Sequence, residues 1–164
     1  LLENKNSVLQ LLKGNQKAMD NILKEANYMG VDEERIIFVD KIPLSEHINR
    51  HRYVDITLDT FYASGGLSSL ISLFAGIPVI TLKGKSRSAR TTLGILESLD
   101  LNEFIAESFE DYINIAVSYS VNQSFRTEVI QKINNQKNKA DIYNSISYSR
   151  ELERLYKHAL LSKK

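Results

Sequence analysis

The chain has 164 residues, of which 43% are hydrophobic and 25% charged, and its formal net charge is +1. This is the composition of an ordinary globular protein, and so small a charge gives no support for nucleic-acid binding. The absence of cysteine excludes disulfide bonds, thiolate metal sites and a cysteine nucleophile.

The first two thirds of the chain predict alternating strands and helices. Short apolar runs predict strands at 7–13, 35–39, 55–58, 78–82 and 103–106. Helical spacing predicts helices at 15–29, 45–51, 66–75 and 88–99. Because the strands are continuous apolar runs, they indicate a parallel sheet covered by helices on both faces. The predicted fold class is α/β, with a Rossmann-like doubly wound parallel sheet.

Residues 109–164 are predicted to form a mostly helical C-terminal part of the same domain. We expect helices at 109–121, 125–134 and 148–161, with a polar loop at 135–144. The last helix is amphipathic, so we expect its apolar residues to face inward. These residues are Leu152, Leu155, Tyr156 and Ala159.

The whole chain is expected to be one domain, 1–164, with no membrane span and a cytoplasmic location. Its most apolar stretch, 67–82, is interrupted by Ser, Gly and Pro and does not resemble a membrane helix. Since the sequence starts at Leu1 and not at Met, we expect it to be a fragment of a longer protein.

A double-glycine turn precedes the predicted helix at 66–75. Gly65 and Gly66 let the backbone approach a ligand closely, and the N–H groups at a helix start suit a phosphate. The hydroxyls of Ser68 and Ser69 can cap the helix or donate to phosphate oxygens. The run predicts a diphosphate cradle, although an ordinary α/β turn that binds nothing has equal support from these residues alone.

His47 and Arg50 are spaced i, i+3, which places them on one face of a short helix. An imidazole and a guanidinium plane together can stack on a flat base and hydrogen-bond to it. The alternative, which the residues alone favour, is a solvated basic helix, since His51 and Arg52 follow directly.

Basic residues also follow the fourth predicted strand. Their side chains either face a pyrophosphate or belong to a solvated loop and helix start, and the residues alone favour the second interpretation. They are Lys83, Lys85, Arg87 and Arg90.

A phospho-acceptor receiver domain is a more distant alternative. Asp40 and Asp59 lie near strand ends and Lys83 follows another strand, as in receivers that bind Mg²⁺. The first strand, however, runs into 13–15 without a carboxylate, whereas receivers carry paired acidic residues there. We therefore interpret Asp59 as a residue that caps a turn.

Several segments together resemble the C-terminal half of the O-linked N-acetylglucosamine transferase family. They occur in that family's order through nearly the whole chain, at 35–38, 46–50, 54–60, 65–66, 73–82 and 148–156. The resemblance implies the second Rossmann-like domain of a GT-B glycosyltransferase, with additional C-terminal helices. It further implies a UDP-sugar donor (UDP-GlcNAc or UDP-hexose), no metal or other cofactor, inversion at the anomeric carbon, a protein acceptor, and a facing N-terminal catalytic domain outside this chain.

The resemblance also implies a donor site, but no catalytic residue within this chain. His47 and Arg50 would contact the uracil, and the backbone of Ile42 would read its edge. The diphosphate would be held by Gly65, Gly66, Leu67 and Ser68.

Three positions depart from the family pattern. Leu67 replaces a threonine, Ile71 replaces an acidic residue that would hold the ribose hydroxyls, and Leu44 replaces a lysine near the base. Loss of the ribose carboxylate would cost about 1–3 kcal/mol of binding free energy. The family's phosphate-binding lysine would lie before Leu1. These departures support an alternative function, a non-catalytic scaffold or interaction module with a degenerate donor site.

Overall fold

The computed structural model describes residues 1–137 and 139–162. The chain divides into two compact units, Leu1–Arg50 and His51–Lys164. Parallel strands and helices alternate in both units, which confirms the predicted α/β fold class. That the chain acts as one donor-binding domain stays a prediction.

The first unit contains two strands and two helices. These are β1 (Leu9–Leu12), α1 (Gln16–Tyr28), β2 (Ile36–Val39) and α2 (Leu44–Arg50). The two strands pair in parallel with Leu9 opposite Ile36, so the polar loops that follow β1 and β2 leave the same edge of this sheet. The Asn15 side chain caps α1 by accepting a 2.9 Å hydrogen bond from the N–H of Ala18.

Within its described residues, the second unit contains three strands and five α-helices. These are β3 (Thr57–Leu58), α3 (Leu67–Phe74), β4 (Val79–Leu82), α4 (Thr91–Ser98), β5 (Ile105–Ala106), α5 (Phe109–Val121), α6 (Gln123–Lys137) and α7 (Ser145–Leu161). The sheet has the order β3-β4-β5 and is parallel throughout. The glycine turn follows β3 and the basic loop follows β4, so both lie at the carboxyl edge of this sheet, where ligands of open α/β sheets bind.

The core of the second unit lies between β4 and the helices that cover it. Ile80, Leu73, Leu96 and Phe104 are fully buried, and each such side chain contributes about 1.5–3 kcal/mol by its burial. Phe104 also contacts Tyr119 edge to face, with ring centroids 5.8 Å apart. This core holds the strand ends from which the turn and the basic loop emerge.

The predicted loop at 135–144 is only partly confirmed. Helix α6 continues to Lys137, and residues Asp141–Tyr143 form a 3₁₀ turn. The polar residues 135–137 remain helical because Val129 and Ile133 already fix the inner face of α6 in the core. Asn138, which the loop prediction also covers, lies outside the described residues.

The prediction that the apolar residues of α7 face inward is wrong for this structure. Helix α7 has no buried residue; Leu155 is 49% and Tyr156 63% exposed, and of the four predicted inward residues only Leu152 is half-buried. An amphipathic pattern specifies an apolar face but not the element that covers it. In the described part of the chain, no helix is both long and apolar enough to cross a membrane.

Candidate functional site

The side chains of His47 and Arg50 lie together on α2, as their spacing predicts. Arg50 Nη2 is 3.1 Å from His47 Nδ1, and Arg50 Nη1 donates to the backbone carbonyl of Asp40 at 2.9 Å. Both side chains are half-buried. The Nε of Arg50 is buried and has no hydrogen-bond partner among the residues described. The guanidinium therefore lies against the segment that follows β2, with donor capacity remaining.

Ile42 lies in that same segment, between β2 and α2, and is half-buried. The next residue, Pro43, starts the helix, because its carbonyl accepts a 2.9 Å hydrogen bond from the N–H of His47. Asp40, at the end of β2, pairs with Lys13 at 2.8 Å. The structure thus places Ile42, His47 and Arg50 on one continuous loop and helix.

The glycine turn contains a conformation that only glycine tolerates well. Gly66 caps α3 with φ of 49° and ψ of −102°, and helix α3 begins at Leu67. The N–H and the hydroxyl of Ser68 both donate to the carbonyl of Gly65, at 3.0 and 2.9 Å. The next internal hydrogen bond runs from Leu70 to Gly66. The turn therefore feeds directly into a helix N-terminus, the geometry that suits an anion.

Two of the three residues that depart from the family pattern lie on α3, while the third, Leu44, is exposed at the start of α2. Leu67 is 72% exposed at the helix start, and Ile71 is half-buried one turn later. The first turn of α3 contains no acidic residue. This part of the site therefore offers backbone N–H groups and apolar surface, and no carboxylate from the helix.

Asp59 holds the glycine turn through contacts that the sequence, which indicates only a turn cap, does not predict. Its side chain is only 6% exposed; Oδ1 accepts from the N–H of Gly65 at 2.6 Å and Oδ2 from the hydroxyl of Thr81 at 2.7 Å. The Tyr112 hydroxyl donates to the Asp59 carbonyl at 2.9 Å, and burial, then the nearby Asp59 charge, raise the pKa of Tyr112. Asp59 therefore caps the turn, as its position predicts, and a receiver-type phospho-acceptor role is not supported by so enclosed a carboxylate.

Ser64 joins the turn to the next helix. Its hydroxyl accepts from the N–H groups of Thr91 and Thr92 at 3.0 and 3.2 Å and donates to the carbonyl of Ser88. A side chain from the turn thus caps the N-terminus of α4. A Cβ added to Gly66 would lie 3.4 Å from Thr91, so the starts of α3 and α4 are close neighbours.

A cluster of buried polar side chains forms hydrogen bonds with α3. His51 Nε2 lies 3.1 Å from the Ser72 hydroxyl, which also accepts from Thr57 and donates to the carbonyl of Ser68. His51 is only 7% exposed, so it does not belong to a solvated basic surface. Its ring instead holds the helix that begins at the glycine turn.

The basic loop after β4 is largely solvated. Lys83 pairs with Glu107 at 2.6 Å, and Arg90 donates to the carbonyl of Gly84. Lys85 and Arg87 are exposed. The loop therefore adds positive charge at the carboxyl edge of the sheet. Within the described residues, no three His, Asp or Glu side chains are grouped so that they could hold a metal ion.

The fold is that of a GT-B glycosyltransferase. A mutant of the O-GlcNAc transferase from Thermobaculum terrenum superposes with a TM-score of 0.85 at 24% identity, over 92% of this chain and 30% of that chain. Residues 1–152 match the model of Glycosyl transferase family 41, and the chain belongs to this family.

Curated relatives agree with the family assignment. The UDP-N-acetylglucosamine–peptide N-acetylglucosaminyltransferase of Caenorhabditis elegans is 26% identical over 156 residues, which is 94% of this chain. The probable enzyme of the same name, SEC, from Arabidopsis thaliana is 28% identical over 152 residues, or 92% of this chain. The chain spans 14% and 16% of the length of these two relatives.

Proposed function

We propose that this glycosyltransferase domain binds the nucleotide-sugar donor of a protein O-glycosyltransferase. The donor is UDP-GlcNAc or a UDP-hexose, and the reaction is metal-independent and inverts the anomeric carbon. The observation that carries this proposal is the Arg50–His47 pair beside the β2–α2 segment, in a chain of family 41. The names of the curated relatives support the same donor and a peptide acceptor.

The base of the nucleotide is proposed to bind the first unit. The Arg50 guanidinium already contacts His47 and the Asp40 carbonyl, so its plane is fixed before a ligand arrives. A preoriented guanidinium loses less conformational entropy on binding than a mobile one. In this proposal the pair contacts the uracil and the backbone at Ile42 reads the base edge.

The diphosphate is proposed to bind the glycine turn of the second unit. The Gly65 N–H donates to Asp59 and would not donate to the ligand. Gly65 would contribute by lacking a side chain, which lets the diphosphate approach the backbone. The N–H groups of Gly66 and Leu67 lead into α3 and would face the diphosphate, with the helix dipole adding to their effect. The Ser68 hydroxyl, which now donates to the Gly65 carbonyl, would have to rotate to reach a phosphate oxygen.

These groups would act on the leaving group. An acceptor hydroxyl attacks the anomeric carbon, the bond from that carbon to the UDP oxygen breaks, and negative charge develops on the diphosphate. Oriented N–H groups at a helix start stabilise such charge without reorganising during the reaction. The acceptor site and the base that takes the hydroxyl proton are proposed to lie in a facing N-terminal catalytic domain, outside this chain.

A non-catalytic scaffold or interaction module is the second candidate. The exposed Leu67 and the half-buried Ile71 favour it, because position 67 offers no hydroxyl and position 71 no carboxylate to a nucleotide. On this alternative the domain keeps its fold and binds no donor.

Calorimetric titration of the chain with UDP, with and without EDTA, tests the two candidates. We expect a Kd between about 10 μM and 1 mM that EDTA does not change, and loss of binding in Arg50→Ala. Arg52→Ala is the matched control, because Arg52 is exposed and contacts Tyr53 instead. No heat of binding at millimolar UDP would contradict the donor proposal and favour the scaffold; equal binding by Arg50→Ala would contradict the role of the pair.

A further inference from the structure

We propose that Asp59 is the positioning residue of the donor site, which sets the glycine turn in its binding conformation without touching the ligand. The inference rests on the proposed function, since it deepens the account of how the turn would hold a diphosphate. It is carried by the hydrogen bonds of Asp59 and by the space around Gly65.

All four polar groups of Asp59 are engaged. Its N–H donates to the carbonyl of Ile80, its carbonyl accepts from Tyr112, and its carboxylate oxygens accept from Gly65 and Thr81. Two of these bonds fix Asp59 to β4 and one fixes it to α5. The remaining bond, 2.6 Å long, transmits that fixed position to the turn six residues further along the chain.

The space around Gly65 shows why the turn cannot shift easily. A Cβ at this position would lie 2.5 Å from the Ser68 hydroxyl, 2.8 Å from the Ser69 hydroxyl and 3.2 Å from Asp59 Oδ1. The Ser69 hydroxyl is itself held at 2.9 Å from that of Thr92. The carboxylate and the start of α3 therefore close on the backbone of Gly65 from two sides.

The neighbouring N–H groups of the turn therefore have different roles. The N–H of Gly65 is directed to a protein carboxylate, and the chain then reverses at Gly66, where φ is 49°. Without the hydrogen bond to Asp59, the Gly65 N–H would have no acceptor. The change of chain direction at Gly66 would then no longer be held in place by the residue before it. The N–H groups of Gly66 and Leu67 would then reach a diphosphate only after ordering, which weakens binding.

Hydrogen-bond geometry, rather than negative charge, is what the inference requires of residue 59. An asparagine there keeps both contacts, because its carbonyl accepts from Gly65 and its amide donates to the Thr81 hydroxyl. It also removes a negative charge from beneath a proposed anion site. Asp59→Asn and Asp59→Ala therefore separate positioning from electrostatics.

The test is UDP titration of Asp59→Ala and Asp59→Asn beside the wild-type chain, with Asp55→Ala as control for loss of a carboxylate near the same strand. We expect Asp59→Ala to raise the Kd by about tenfold or more, and Asp59→Asn and Asp55→Ala to bind about as well as wild type. In ¹⁵N-labelled chain, the Gly65 amide proton should resonate downfield in wild type and Asp59→Asn, and lose that shift in Asp59→Ala. Thr81→Val, which removes one anchor of the carboxylate, should weaken UDP binding even if Asp59→Ala does not fold.

The outcomes distinguish the two proposals. If the wild-type chain binds no UDP, the proposed function fails, and the inference about positioning a ligand fails with it. If wild type binds UDP and a folded Asp59→Ala or Thr81→Val binds it equally well, the proposed function stands and the positioning role is wrong. Loss of binding in a folded Asp59→Asn would contradict the inference, because this variant keeps both hydrogen bonds and removes a charge that repels the diphosphate.

Discussion

The Nη2 of Arg50 lies 3.1 Å from the Nδ1 of His47. A guanidinium has donors and no acceptor, so Nδ1 must be the acceptor in this contact. This contact requires Nδ1 without a proton, so the neighbouring arginine favours the tautomer of His47 that carries its proton on Nε2. A ring selected in this way presents an N–H donor at Nε2 toward any carbonyl that it meets.

The tautomer of His47 is directly measurable. Long-range ¹⁵N–¹H correlation spectra at pH 8 should show a non-protonated Nδ1 and a protonated Nε2 in the wild-type chain. In Arg50→Ala the preference should weaken, and Arg50→Lys should not restore it fully, because one ammonium group cannot match a planar fork that contacts His47 and the Asp40 carbonyl together. His158, exposed on α7, serves as the internal control. A protonated Nδ1 in wild type would contradict the contact.

Gly66→Ala should lower the unfolding free energy of the protein. It should weaken the binding free energy of UDP by a larger amount. At φ of 49° and ψ of −102° a Cβ is strained, at a cost of about 1–3 kcal/mol. The control is Gly94→Ala: Gly94 lies in α4 with open space around its Cβ, so alanine should stabilise by about 0.5–1 kcal/mol. Urea unfolding and UDP titration of both variants measure the two effects. Equal stability of Gly66→Ala and wild type would show that the turn adopts another conformation.

Ser64→Ala should cost about 0.5–2 kcal/mol of unfolding free energy, because α4 loses the acceptor for two of its first N–H groups. Ser98→Ala, at the other end of the same helix, removes only a donor to the carbonyl of Ile95 and should be close to neutral. Thermal unfolding followed by circular dichroism compares them. If both serine variants have the same Tm as wild type, the Ser64 cap does not contribute to stability.

Most of the fold could be predicted because its signals are local. The apolar run at 35–39 and the helical spacing at 15–29 lie within single elements, and β2 and α1 were both confirmed. The contact between His47 and Arg50 also follows from spacing within one helix turn. Their roles in donor binding, like those of Ile42 and the glycine turn, remain predictions.

The supporting residues could not be predicted, because their partners are distant in sequence. Asp59 meets Thr81, 22 positions later, and Tyr112, 53 positions later. Ser64 reaches Thr91 across 27 positions, and no local pattern indicates that pairing. The α7 error has a related cause: an apolar stripe predicts burial only if another element covers it.

Two tyrosines of the second unit provide a contrast between a satisfied and an unsatisfied buried hydroxyl. The Tyr112 hydroxyl donates to the Asp59 carbonyl, whereas the Tyr143 hydroxyl is buried with no hydrogen-bond partner within the described chain. Tyr112→Phe should therefore cost about 1–2 kcal/mol, while Tyr143→Phe should be neutral or stabilise by up to about 1 kcal/mol. Urea unfolding at pH 7 measures both. A Tyr143→Phe variant as destabilised as Tyr112→Phe would reveal a partner for that hydroxyl.

Tyr143 also predicts how the unfolding free energy depends on pH. Burial raises the pKa of Tyr143 from its ordinary 10.0 to about 12. The folded state then holds the Tyr143 proton more tightly than the unfolded state. The free energy of unfolding that this difference contributes is fully present below pH 10 and is lost as the pH rises from 10 to 12. Phenylalanine does not titrate, so the unfolding free energy of Tyr143→Phe should fall less steeply over this interval than that of wild type. Parallel curves for the two proteins, measured by urea unfolding between pH 8 and pH 11.5, would contradict a raised pKa for Tyr143.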